Sequence, residues 1–208
     1  SMTTNGIGLA KLAGALAEAG LARVNVSLDT LRPDRFVQLA RRDRLADTLA
    51  GIEASLAAGL GPLKLNTVLM RGINTDEAVD LLRHALGIGA ELRFIEQMPL
   101  DAGHTWTREG MFTADETQSL LASAFDLRAL PGRGAAPAER FEVRPVGSPD
   151  AEPLGTVGII ASVTRPFCGN CDRLRLTADG QLRNCLFATG ETDLRTPLRS
   201  GASAEELT

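Results

Sequence analysis

Lysine and histidine are both scarce in this chain of 208 residues, and each shortage limits the kinds of binding site that the chain can form. All but two of the 22 Lys and Arg residues are arginine. Because this chain rarely uses lysine as a surface residue, Lys11 and Lys64 are candidates for a specific role. The two histidines, His84 and His104, both lie far along the chain from the cysteines, which leaves few nitrogen ligands for a metal site. The formal net charge of −4 argues against a general nucleic-acid binder.

Long apolar runs and secretory signals are also lacking. No stretch of about 18 consecutive apolar residues is present to span a bilayer. The first residues do not combine a basic segment, an apolar core and a small-residue cleavage site. We therefore expect a cytoplasmic protein with no membrane partner, in which thiols stay reduced and clustered cysteines bind metal or do redox work.

Cysteine occurs three times, with the spacing C-x2-C-x13-C at Cys168, Cys171 and Cys185. An odd number leaves one thiol unpaired, so a disulfide framework fits poorly. Structural zinc prefers four protein ligands, although a catalytic zinc accepts three thiolates and folding can add His84 or His104. An iron–sulfur cluster usually takes four cysteines, so three would leave one iron free for a substrate atom. The spacing alone leaves both metals open.

The residues between the second and third cysteines have the pattern of a β-hairpin. Charged and apolar residues alternate over residues 172–177, which places Arg173 and Arg175 on one face of a strand. Residues 178–181 supply a turn, and residues 182–187 form the returning strand that brings Cys185 back beside the other cysteines. Two parallel guanidinium groups suit a phosphate-bearing ligand, whereas the alternative is a solvated hairpin face.

Helical and strand patterns alternate in the first half of the sequence. Strand patterns cover residues 24–28, 63–70 and 92–98, and helical patterns separate them. Repeated βα units predict parallel strands with right-handed crossovers. After residue 105 the order changes, because a capping box starts a helix at Thr113 and strands follow near residues 141–146 and 156–163.

We therefore predict an α/β protein with two portions. Residues 1–105 form a partial TIM-like structure, an incomplete βα barrel, because three parallel strands cannot close a barrel by themselves. Residues 106–208 form a smaller α+β portion that carries the three-cysteine site. Exposed strand edges in the incomplete barrel also predict a homodimer.

Polar residues in the predicted parallel strands indicate a ligand site. Lys64 and Asn66 share one face of the second strand, and Asn25 and Ser27 share one face of the first. Arg93 on the third strand is a further candidate. Polar groups on several strands predict a site like that of barrel enzymes, whereas the alternative is a solvated open face.

Six stretches of this sequence, taken together, resemble one enzyme family. They are TTNG at Thr3 to Gly6, VNVSLDTL at Val24 to Leu31, KLNTVLMRGIN at Lys64 to Asn74, LRFIEQMPL at Leu92 to Leu100, FCGNCDRLRLTADGQLRNCLF at Phe167 to Phe187, and LRSGAS at Leu198 to Ser203. The chain resembles the radical S-adenosylmethionine GTP 3′,8-cyclases of molybdenum cofactor biosynthesis. These are lyases that convert GTP to 3′,8-cyclo-7,8-dihydro-GTP.

The resemblance implies two 4Fe-4S clusters, S-adenosylmethionine, GTP and an electron donor. The first cluster, held by a CxxxCxxC motif, cleaves S-adenosylmethionine to a radical that takes a hydrogen from the GTP ribose. The second cluster would be held by Cys168, Cys171 and Cys185, and would bind the guanine at its open iron. For the other residues, the resemblance implies triphosphate contacts for Lys64, Arg173 and Arg175, and an S-adenosylmethionine pocket lined by Thr3, Ser27 and Met98. It places Arg93 at the edge of the substrate or the cofactor.

The sequence departs from the family pattern at both ends. The CxxxCxxC segment, the strands before Thr3 and a C-terminal double glycine are not among these residues, so we expect a protein of this extent not to turn over GTP. No catalytic residue is identified in it. The alternatives are another radical S-adenosylmethionine enzyme with an auxiliary cluster, and a zinc-stabilised module without enzymatic activity.

Overall fold

A seven-stranded mixed sheet organises the first of two units, Ser1–Phe167, and a small three-stranded sheet organises the second, Cys168–Thr208. The computed structural model describes residues 1–100, 103, 106–148 and 150–207. Along the described residues, no helix combines the length and apolarity that crossing a membrane requires.

The first unit contains seven strands and five α-helices, with a 3₁₀ turn at Thr75–Glu77. In chain order they are β1 (Met2–Thr4), α1 (Leu9–Glu18), β2 (Val24–Ser27), α2 (Pro33–Ala40), α3 (Leu45–Ala57), β3 (Lys64–Val68), α4 (Ala78–Gly87), β4 (Glu91–Ile95), α5 (Ala114–Ala122), β5 (Phe125–Ala129), β6 (Glu139–Pro145) and β7 (Gly155–Ile160).

The large sheet has the strand order β1-β2-β3-β4-β7-β6-β5. Strands β1 to β4 and β7 are parallel, whereas β6 and β5 are antiparallel to their neighbours. The structure confirms a mixed α/β fold rich in parallel strands, with the three predicted strands at its centre. Two further parallel strands were not predicted as such, since β1 has only three residues and β7 pairs with a strand far away in sequence.

The predicted change of architecture at residue 105 does not coincide with a break in the sheet. Strands β6 and β7, expected in a separate α+β portion, continue the sheet from β4, and the two units divide at Phe167. Residues 101, 102, 104 and 105 of the predicted boundary lie outside the described residues. The capping box is confirmed, because Thr113 and Glu116 each bond the backbone N–H of the other at the start of α5.

One face of the large sheet is apolar and packs against the helices. The apolar face includes Val26 of β2, Leu65 of β3 and Phe94 of β4. These side chains are almost completely buried together with Ile52 of α3 and Leu81 of α4. Because side chains alternate between the two faces of a strand, the intervening polar residues all lie on the opposite face. The hydrophobic core therefore determines which residues can form a site.

The second unit is built around a short antiparallel sheet. It contains a 3₁₀ turn (Cys168–Asn170), β8 (Arg175–Leu176), β9 (Gln181–Arg183), β10 (Thr192–Asp193) and α6 (Arg195–Arg199). The hairpin predicted from the cysteine segment is confirmed between β8 and β9, with Arg175 opposite Arg183. Its strands are shorter than predicted, and Cys185 lies two residues beyond the end of β9.

A buried carboxylate joins three elements of the first unit. Glu96 directly follows β4 and is only 4% exposed. Its oxygens accept hydrogen bonds from the Ala114 N–H at the start of α5 and from the Val163 and Thr164 N–H groups after β7, at 2.8–2.9 Å, and from the Thr164 hydroxyl. Burial acts to raise the pKa of Glu96, but these hydrogen bonds outweigh it and lower that pKa.

Replacing Glu96 by Gln is expected to lower the free energy of unfolding by about 1–3 kcal/mol at pH 7, because an amide leaves buried N–H donors unpaired. The stabilisation by Glu96 is present above the ordinary pKa of 4.5 and is lost as the pH falls through the lowered pKa in the folded protein. Urea unfolding at several pH values measures both effects. Glu109→Gln, at an exposed glutamate, is the matched control, and a difference that grows towards acid pH would contradict the account.

Candidate functional site

Polar side chains form two adjacent rows across the face of the large sheet opposite its apolar face. The first row crosses four strands in register, and its members are Thr3, Asn25, Lys64 and Glu91. The second row lies two residues further along β2, β3 and β4, and its members are Ser27, Asn66 and Arg93, with Gly158 of β7 opposite Arg93. The structure therefore brings Thr3, Lys64, Ser27 and Arg93, which were predicted separately, onto one face.

Glu91 is the centre of a cluster of charges on this face. It is 9% exposed, and its carboxylate accepts hydrogen bonds from the Nε of Arg93 at 2.7 Å and the Nε of Arg140 at 3.0 Å. The Thr156 hydroxyl lies 3.3 Å from the same carboxylate. Burial acts to raise the pKa of Glu91, but the bond from Arg93 and the charges of Arg93, Arg140 and Lys64 hold it below its ordinary value.

Lys64 begins β3 beside this cluster, with Asn25 opposite it on one side and Glu91 on the other. Partial burial lowers the pKa of the Lys64 ammonium, and the nearby charge of Arg93 lowers it further against the attraction of Glu91. A lysine in this position is held among other cations, an arrangement that costs stability unless an anion is bound.

A small cavity of about 160 Å³ lies at the carboxyl end of β2. Its walls are formed by Asn5, Ser27, Asp29, Thr30, Phe36, Leu39 and Ala40. Burial raises the pKa of Asp29, although its carboxylate accepts a hydrogen bond of 2.8 Å from the Val68 N–H. Ser27, a predicted cofactor contact, thus lines a pocket that also presents the half-buried carboxyl group of Asp29.

The other two predicted cofactor contacts belong to different parts of the first unit. Thr3 is exposed on the edge strand β1, where its hydroxyl accepts a hydrogen bond of 3.2 Å from the Asn25 amide. Met98 is half-buried on the segment after β4. Because β4 ends at Ile95, the strand alternation that would separate Arg93 from Met98 does not extend to Met98.

All three cysteines are free and exposed in the second unit. The Cys171 N–H bonds the Cys168 carbonyl at 3.2 Å, and the Cys185 sulfur accepts a bond of 3.4 Å from the Phe187 N–H. Among the residues that the structure describes, no three His, Cys, Asp or Glu side chains are grouped to hold a metal ion. The donor set nevertheless fits an iron–sulfur cluster or zinc chemically, because all three thiols are accessible and none is in a disulfide.

One arginine contacts a thiol directly, and a second arginine of this unit pairs with a carboxylate. The Arg173 guanidinium donates a hydrogen bond of 3.1 Å to the Cys171 sulfur, and Arg183 forms an ion pair with Glu191. Hydrogen bonds from the Arg173 backbone and side chain, with the charges of Arg173 and Arg175, lower the pKa of the Cys171 thiol. His84 lies in α4 of the first unit, and His104 lies outside the described residues.

Sequence reasoning missed Glu91, Arg140 and Asp29. Glu91 and Arg93 are two residues apart on one strand, so their shared face was readable from the alternation already used for Lys64. Asp29 follows a predicted strand directly, at the end where ligands bind in parallel sheets. Arg140 carries no local signal, because its position beside Glu91 depends on the pairing of β6 with β7.

Two family models match this chain. Residues 90–208, more than half of the sequence, match the family described as Molybdenum Cofactor Synthesis C. The chain belongs to this family. Residues 1–85 match the Radical SAM superfamily. The Molybdenum Cofactor Synthesis C match covers β4, the charge cluster around Glu91 and all three cysteines, whereas the Radical SAM match covers β1 to β3 with Ser27 and Lys64.

Curated relatives match the whole chain. It is 60% identical over 209 residues to a GTP 3′,8-cyclase of Streptomyces coelicolor, covering 100% of this chain and 59% of that protein. It is 57% identical over 212 residues to a GTP 3′,8-cyclase of Paenarthrobacter nicotinovorans, covering 100% of this chain and 60% of the relative. A GTP 3′,8-cyclase 2 of Mycobacterium tuberculosis is 54% identical over 208 residues, with 100% and 57% covered. The chain thus spans somewhat more than half the length of these relatives.

Replacing Lys64 by Met is expected to raise the free energy of unfolding at pH 7 by up to about 1 kcal/mol, because it removes a partly buried ammonium that faces Arg93. Urea unfolding of the two proteins measures the difference. Lys11→Met, at the other lysine of the chain and exposed on α1, is the control and should shift stability by less than about 0.5 kcal/mol. A less stable Lys64→Met protein would mean that attraction to Glu91 outweighs burial.

Proposed function

We propose that this chain is the substrate-holding part of a radical S-adenosylmethionine GTP 3′,8-cyclase that acts in molybdenum cofactor biosynthesis. The names of the relatives and the two family matches support the assignment. The single observation that carries it is that three thiols are accessible and that the Arg173 guanidinium bonds one of them, Cys171, because this combines soft metal ligands with a cation suited to a phosphate.

Cys168, Cys171 and Cys185 would hold a 4Fe-4S cluster. When bound, such a cluster supplies an iron with an open coordination position, and the guanine of GTP would occupy it. The Arg173 guanidinium favours the thiolate form of Cys171 that ligation needs, because it already donates a hydrogen bond to that sulfur.

Side-chain cations would hold the triphosphate of GTP. The four residues in this role are Lys64, Arg93, Arg173 and Arg175. The sequence contains no G-x-x-x-x-G-K loop, so a backbone nest of N–H groups is not the means of phosphate binding. Arginine is suited to the task because its planar fork can bond two phosphate oxygens at once.

Thr3, Ser27 and Met98 would line the pocket for S-adenosylmethionine. The cavity beside Ser27 supports the role of Ser27, since Asp29 and Asn5 offer polar contacts there and Phe36 offers an apolar wall. A second 4Fe-4S cluster and an electron donor would complete the reaction. We place the protein in the cytoplasm, where reduced thiols and soluble electron donors are available, and we propose a homodimer formed through exposed strand edges.

The anaerobically reconstituted chain is expected to bind GTP more tightly than GDP, and GDP more tightly than guanosine, because each phosphate adds charge-assisted hydrogen bonds. Arg173→Ala and Arg175→Ala should each weaken GTP binding by about 1.5–3 kcal/mol, the usual contribution of a hydrogen bond to a charged group. Isothermal titration measures these affinities.

Arg199→Ala is the matched control for these substitutions, because Arg199 is an exposed arginine on α6 of the same unit. It should leave GTP affinity unchanged. Equal affinity for guanosine and GTP, or equal effects of all three substitutions, would contradict the triphosphate role.

Cys185→Ala is expected to reduce iron after anaerobic reconstitution from about four atoms per chain to almost none, because two thiolates do not retain a cubane cluster. Iron, acid-labile sulfide and zinc are measured together. Ser203→Ala, outside the cysteine segment, should leave the iron content unchanged. Stoichiometric zinc without sulfide in the unaltered chain would instead favour a zinc-stabilised module.

A further inference from the structure

A cavity of about 490 Å³ lies at the amino ends of β3, β4 and β7, and the Glu91 cluster forms part of its wall. Its charged lining consists of Lys64, Arg93, Arg140 and Glu91. Leu86 and Leu154 contribute apolar wall. Three cations against one carboxylate leave an excess of positive charge. A volume of a few hundred cubic ångströms is the usual size of a site for a small ligand.

Arg93 and Arg140 each keep some guanidinium N–H donors available for a bound ligand. Both use Nε to bond the Glu91 carboxylate. The Nη atoms of Arg93 make no hydrogen bond with the residues that the structure describes, and Arg140 directs only Nη2 towards Glu91 and Thr156. A guanidinium has five N–H donors, so each arginine keeps donors for a bound anion.

Gly158 makes room for this arrangement. It lies between the two arginines in the sheet, opposite Arg93 on one side and Arg140 on the other. A Cβ at this position would lie 3.1 Å from the Arg93 Cγ and 3.2 Å from the Ala138 Cβ. The backbone there does not require glycine, because its φ lies outside the left-handed range. Close approach of the Arg93 side chain is thus the physical reason for glycine here.

We propose that Arg140 is a further phosphate-contacting residue in this cavity, and that Glu91 is a positioning residue for Arg93 and Arg140. The ligand class is a polyphosphate. Its identification with the triphosphate of GTP rests on the proposed function, whereas the anion site itself rests on the cavity, the charge excess and the available Nη donors. Arg140 thereby joins Lys64 and Arg93 as a third cation of the first unit for the same ligand.

Inorganic tripolyphosphate and guanosine are the two probes that separate the parts of the ligand. Arg140→Gln is expected to weaken binding of tripolyphosphate and of GTP about tenfold or more, and to leave guanosine binding unchanged. Arg128→Gln, at an exposed arginine on β5 of the same sheet, is the matched control and should change none of the three. Tripolyphosphate affinity equal to that of the unaltered chain would overturn the role of Arg140.

Glu91→Gln distinguishes positioning from simple charge. Removing a negative charge beside a phosphate site should strengthen binding if Glu91 acts only through its charge. The positioning role predicts the opposite, a several-fold weaker affinity for tripolyphosphate, and a double variant with Arg140→Gln that loses less than the two single losses combined. Tighter binding by Glu91→Gln would overturn the positioning role.

A folding check and a second variant separate loss of binding from loss of the folded structure. Circular dichroism and the urea midpoint establish folding, and if Arg140→Gln does not fold, Arg140→Lys keeps the charge without the fork and should still weaken tripolyphosphate binding. GTP binding that is independent of Arg140 would overturn the role of Arg140 and leave the proposed function intact. Tripolyphosphate binding that depends on Arg140, without any binding of guanosine or GTP to the reconstituted chain, would support the role of Arg140 and contradict the proposed function.

Discussion

Side chains along the strands of the large sheet alternate between two faces, and the helices bury only one of them. Leu65 and Phe94 belong to the buried face, so their neighbours Lys64 and Arg93 must lie on the other. This alternation gathers charged groups from strands that are distant in sequence. A one-residue shift in the register of β4 would bury Arg93 and expose Phe94. Packing of the hydrophobic core therefore keeps Arg93 on the polar face.

The polar face of the large sheet is chemically different at its two ends. At the amino ends of the strands, Lys64, Arg93 and Arg140 surround one carboxylate and produce an excess of positive charge. At the carboxyl end of β2, Ser27 and the half-buried Asp29 line a smaller pocket, and none of the described residues in its wall is basic. An anionic phosphate chain suits the first environment, and a cationic sulfonium ligand suits the second. The thiols of the second unit add the soft ligands that neither pocket has.

Local signals made the central part of the fold predictable. Strands β2 to β4, the helix at Leu45–Ala57 and the capping box of Thr113 have patterns that can be read within a few residues. The order of strands in the sheet could not be read in this way, because β7 pairs with β4 although α5, β5 and β6 lie between them in the sequence. The same limit explains the site. Lys64 was found by alternation and Arg93 as a charged residue on a predicted strand, whereas Arg140 depended on a long-range pairing.

The claim that the three cysteines hold a cluster with an iron open to substrate is tested most directly by spectroscopy. After anaerobic reconstitution, the electron paramagnetic resonance spectrum of the reduced cluster is recorded as GTP is added to the 208-residue chain. The account predicts a saturable change in the spectrum with GTP, because a ligand atom enters the coordination of one iron. A cluster signal that GTP leaves unchanged, while GTP binding is measurable by titration, would contradict it.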